Sequence, residues 1–157
     1  MKLRQWFEKW GMSGLKIKLG ILESEWVPQD PDRNAAWELY IELLTRIATQ
    51  PLGPEHGDEQ AALTSVFSLF ALTREILKRN GKYATEFAKV AIPILNQVVR
   101  PFTAKWHGIS LAEGFKDNAN RTLFRTELEQ LQVVLRKYTG LLADIAGVED
   151  LTTLEQV

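Results

Sequence analysis

Lys89, Asn96, Arg100, Thr103 and His107 follow one another at steps of 7, 4, 3 and 4. On an α-helix those steps put all five on one narrow face. Pro93 falls in the same stripe, and Phe102, Lys105 and Trp106 lie beside it. Cations next to aromatic rings grip phosphates and stack bases. The anion-binding candidates are therefore Lys89, Asn96, Arg100, Lys105 and His107. The chain has no basic run, no RNA-recognition signature and no glycine-rich phosphate loop to add to them. The competing reading makes the stripe the one solvated edge of an otherwise buried helix.

Two other groupings have the residue types of a reactive site. His56, Asp58 and Glu59 carry metal-ligand side chains, but their spacing is that of a loop entering a helix, with Asp58 as its cap. His107 is the only other histidine, so no ligand cluster can be assembled and neither a metal nor a cofactor is expected. His107 with Ser110 is the one nucleophile–base combination, and no nucleophile elbow accompanies it. The absence of cysteine excludes disulfides, thiolate zinc sites and cysteine nucleophiles. The expectation is a protein that is not an enzyme.

The elements that must position these residues are mainly helical. Phe124, Leu128, Leu131, Leu135, Tyr138, Leu142 and Ile145 are spaced 4, 3, 4, 3, 4 and 3 apart. That beat makes one apolar seam on a helix over about 121–146, stopped at Gly147. A first long helix starts at Asp30, Pro31 and Asp32 and ends before Pro51, with Trp37, Tyr40, Ile41, Leu44, Ile47 and Ala48 as its apolar face. A second runs from about 58 to 80. Its residues 61–73 carry no charge, which predicts burial on most sides, with Phe67 among the inward residues. A third spans about 85–106, kinked or broken near Pro93, Arg100 and Pro101, and is apolar enough to be central. Ser110 and Glu113 read as a capping box.

The N-terminal stretch differs. Leu3, Trp6, Phe7 and Trp10 suit a short helix over 3–10, broken by Gly11 and Gly14. Leu15, Ile17, Leu19 and Ile21 then alternate with Lys16, Lys18 and Gly20, the pattern of a strand, with a bulge at Gly20. A lone strand in a helical chain needs a partner for its backbone. Pairing with a second copy would bring Lys16 and Lys18 near Glu23 and Glu25.

Charge is segregated, although the net charge is only −1. Residues 1–20 carry five basic and one acidic side chain, 21–60 two and nine, 74–137 twelve and six, and 138–157 none and four. Such blocks pair within the fold, between subunits or with a partner. No apolar stretch approaches the ~20 residues that span a bilayer, and the N-terminus lacks the pattern of a secretory signal. Trp6, Phe7 and Trp10 with their lysines make too short a helix to hold a membrane.

The fold expected is all-α: an antiparallel bundle of about four long helices, preceded by a short N-terminal helix and one extended β arm. The organisation expected is an N-terminal aromatic helix and arm over 1–26, a helical bundle over 30–147 and a frayed acidic tail over 148–157. The function expected is that of a non-catalytic, cytoplasmic adaptor or small subunit acting by protein–protein association. Its partner is a second copy, giving a homodimer, or a different protein. Trp6, Phe7, Trp10, Leu15, Ile17, Leu19, Ile21 and Trp26 are expected to form the interface. Phosphate or nucleic-acid binding through residues 74–137 ranks second, and no stable membrane insertion is expected. A bacterial defence or signalling system is the setting such an accessory module would suit.

Overall fold

The computed structural model describes residues 1–53 and 58–154. It is all-α: α1 (Leu3–Lys9), α2 (Leu19–Leu22), α3 (Asp30–Leu44), α4 (Glu59–Asn80), α5 (Thr85–Ile94), α6 (Arg100–Leu111) and α7 (Asn118–Ala146). A π-helical turn, Leu95–Val99, joins α5 to α6 without a break. No helix among the described residues is long and apolar enough to cross a membrane.

The seam on α7 is core. All seven of its residues are buried, with Phe124, Leu135 and Leu142 fully so. Asp117 caps the helix by accepting from Ala119 N at 2.8 Å, and Gly147 ends it at φ 72°, the left-handed conformation that glycine adopts without strain. The most extensive helix pair is α7 with α3, rather than any pair built on the third long helix. Leu39, Tyr40 and Leu43 of α3 are buried there.

Polar side chains fix how the helix ends meet. The N-cap of α3 is Gln29, one residue before the expected Asp30. Asp32 is fully buried; one of its carboxylate oxygens accepts from Gln29 N at 2.8 Å, the other from Phe87 N at 2.9 Å. One carboxylate thus closes the start of α3 and anchors the start of α5. At the other end of α3, the buried Gln132 amide of α7 donates to the carbonyls of Ile47 and Gln50, each at 2.7 Å.

Pro93 and Pro101 lack backbone donors. The chain absorbs this by widening one turn, in which Arg100 N reaches back five residues to Leu95 O. The rod then continues to Leu111. The capping box at Ser110 does not form: Ser110 lies inside α6, and its hydroxyl donates to the Gln60 side chain.

The β arm is not present, and the described residues hold no strand. Their one β-type pairing is an isolated antiparallel bridge between Lys2 and Glu25. The arm's backbone finds its partners inside the same chain. Gln97 Nε2 donates to Lys16 O at 2.7 Å and its Oε1 accepts from Lys16 N at 2.8 Å, a side chain taking the place of a neighbouring strand. Residues 19–22 coil into one helical turn, and Trp26 N donates to Met1 O at 3.0 Å. Residues 149–151 of the tail are also tied down. The Tyr40 hydroxyl donates to Glu149 O at 3.0 Å and accepts from Leu151 N at 2.7 Å.

Candidate functional site

The residues assigned to a protein interface are mostly turned inward. Phe7 and Trp26 are each 2% exposed, and Trp6, Trp10, Leu15, Ile17 and Ile21 pack partly buried against the core. Leu19 alone stands out, at 64% exposure. Trp6 meets Trp26 edge-on at 4.9 Å, and Trp26 Nε1 donates to Glu86 O at 3.0 Å. Trp10 lies across Gly140 of α7, where a Cβ would come within 2.4 Å of the indole. Lys9 and Trp10 both donate to Asp144 Oδ2, at 2.8 and 3.1 Å.

Glu23 and Glu25 are taken by neighbours in their own chain. Glu25 binds the terminal ammonium of Met1 at 2.9 Å, and Glu23 binds Lys2 at 3.1 Å and also Arg4. The hydrogen bond from Lys2, with the nearby charges, holds the Glu23 carboxyl below its ordinary range. They do not meet Lys16 or Lys18. The two blocks thus meet within the fold at Met1, Lys2 and Arg4 against Glu23 and Glu25, while Lys9 pairs with Asp144 of the last block.

The anion stripe is split. One extra residue in the π-helical turn rotates everything upstream by about 100° relative to α6. Lys89 is half-buried and bound to Glu86 at 2.7 Å. Lys105 pairs with Glu127 of α7 and lies over the Trp106 ring. Thr103 is buried and bonds back to Arg100 O. Asn96, Arg100 and His107 remain together. Arg100 donates twice to Asn96 Oδ1 and lies 4.7 Å from the centre of the Phe70 ring, and His107 meets Phe67 edge-on at 4.8 Å.

Among the described residues, neither reactive grouping is assembled. His56 lies outside the described residues; Asp58 caps α4, and Glu59 binds Arg125 at 3.2 Å. Among the described residues no group of three or more His, Cys, Asp or Glu could hold a metal ion. His107 and Ser110 contact Phe67 and Gln60, not each other. Burial raises the Tyr138 hydroxyl above its ordinary range, and that hydroxyl has no hydrogen-bond partner among the described residues.

Two uncovered surfaces stand out, and both overturn sequence expectations. On the first, Trp37 and Ile41 of α3 are 45% and 44% exposed although they belong to the expected apolar face. Trp37 neighbours Tyr40, which holds the tail at Leu151. A groove of about 860 Å³ follows, lined by Leu44, Val133, Arg136, Leu151 and Leu154. On the second, α4 exposes Ala61, Thr64, Phe67 and Ala71, part of the uncharged stretch expected to be buried. The signal missed was amphipathic spacing. Within residues 61–73, steps of 3, 3 and 4 pick out an outward face that no charge marks.

Compared with known proteins, the chain matches no family model, no curated protein and no solved structure.

Proposed function

We propose that the protein is a non-catalytic helical adaptor, a small subunit that works by associating with another protein in a larger assembly. The observation that supports this is the exposure of apolar side chains on α3, α7 and the tail: Trp37 and Ile41 of α3, Val133 of α7, and Leu154, which is 72% exposed and lines the groove with Val133. Large apolar side chains left exposed in this way mark sites of association. A second copy of the chain is one candidate partner and a different protein the other. A cysteine-free chain fits work in the reducing cytoplasm. Phosphate or nucleic-acid binding through residues 74–137 is the weaker alternative, because Lys89 and Lys105 are each paired with a carboxylate.

The test is the double variant Trp37→Glu, Ile41→Glu in the assembly isolated from the source cells. The wild-type chain should run in a species larger than 17.9 kDa, and the variant should run as the free chain with an unchanged helical spectrum. A variant that stays in the same species, or a wild-type chain that is a monomer in cells, would remove the reading.

A further inference from the structure

We propose a second docking surface, formed by α4 and α6, that takes an acidic amphipathic helix of a partner protein. It rests on different helices from the groove and on its own observations. The two helices run antiparallel, since Gln60 meets Ser110, Phe67 meets His107 and Phe70 meets Arg100. Their outward residues form a face with two distinct ends. One end is apolar, with Phe67 at 48% exposure and Leu111 at 87%. Its middle is small, with Ala71 and Ala104 exposed. The other end carries Arg74, one turn beyond Phe70, and Arg100, neither in an ion pair with a described residue.

Several cations of the described residues, among them Lys16, Lys82 and Arg136, make no ion pair; what distinguishes Arg74 and Arg100 is that they stand on adjoining helices at one end of this face, where a partner's carboxylates can reach both. Arg100 is already held by Asn96 and by the Phe70 ring, which lowers the cost of ordering it on binding. Glu75 does not neutralise the pair; it lies 3.8 Å from Lys78. Small residues between an apolar end and a cationic end let a helix lie close, with leucine-like side chains at Phe67 and Leu111 and carboxylates at Arg74 and Arg100. A nucleic acid fits less well. It would use the two cations and leave the exposed Leu111 and the alanines without a role.

The experiment places p-benzoylphenylalanine at Ala71 in the full chain and irradiates cells of the source organism. We expect one protein adduct whose cross-linked peptide carries Asp or Glu within two helical turns. Its yield should fall about tenfold on Arg74→Glu with Arg100→Glu and survive Arg74→Lys with Arg100→Lys. Circular dichroism confirms that each variant is folded. No adduct, an adduct indifferent to charge reversal, or a peptide without acidic residues would overturn the proposal. So would tight binding of a labelled oligothymidylate at low salt by the purified protein, lost on the same reversal, because the face would then belong to nucleic acid.

Discussion

The N-terminal segment and the α3–α7 surface both carry large apolar side chains and have opposite fates. Leu3, Phe7, Met12 and Trp26 are at most 4% exposed, whereas Trp37, Ile41, Val133 and Leu154 are at least 44% exposed. The first set looks, in sequence, like a loose arm seeking a partner, and the second like the core faces and tail of a bundle. What separates them is backbone and salt-bridge closure. Residues 1–4 and 23–26 clamp each other, and Gln97 completes the chain at Lys16. The segment is therefore interior packing. The bundle's own helices leave apolar side chains over, because α3 and α7 are apolar across a wider arc than each other's surface covers.

The sharpest way to break this contrast is to remove the arm's largest buried ring. Trp26→Ala should cost about 3–5 kcal/mol in denaturant unfolding, the range for truncating a buried tryptophan. A loss below about 1 kcal/mol would mean that the arm contributes little to the fold. Leu135→Ala, at the centre of the α7 seam, should cost about 2–5 kcal/mol. A near-zero cost there would mean that the seam faces water or an absent partner.

Gly140→Ala sharpens the contrast from the other side. Its methyl group would collide with the Trp10 ring, so the arm must shift or α7 must bend. Thermal unfolding should show a loss of about 1–3 kcal/mol. Trp10→Ala should make the glycine substitution nearly neutral, since the two changes share one contact. If the two losses simply add, the arm does not lie on α7. The smallest effect belongs to the uncovered surface. Trp37→Glu with Ile41→Glu should change the stability of the isolated chain by no more than about 0.5 kcal/mol per site, as exposed positions do.

The bundle was legible because periodicity reports it directly: the seam from Phe124 to Ile145 is buried, as its spacing requires, and Asp58, Gly81 and Gly147 bound their helices. The arm's true course is not legible, because alternation of Leu15, Ile17, Leu19 and Ile21 describes which side chains are apolar, not what receives the backbone. A glutamine side chain and a single helical turn satisfied it instead. The anion stripe dissolved for a geometric reason, since one π-helical turn shifts the phase that the spacing rule assumes constant. The exposed face of α4 is not legible from charge, because equating an uncharged helix with a buried one ignores uncharged outward side chains. Ala61, Thr64, Phe67 and Ala71 show that the equation fails on a side of the helix that stays exposed in the fold.

Hydroxyl-radical footprinting of the free chain and of the assembly isolated from the source cells tests the central claim most directly, because it reads side-chain exposure at both tryptophans at once. Trp37 and Leu154 should be labelled in the free chain and protected in the assembly, while Trp26 should stay unlabelled in both. Labelling of Trp26 in the free chain that disappears on assembly, with Trp37 unchanged, would contradict the account and return the interface to the arm.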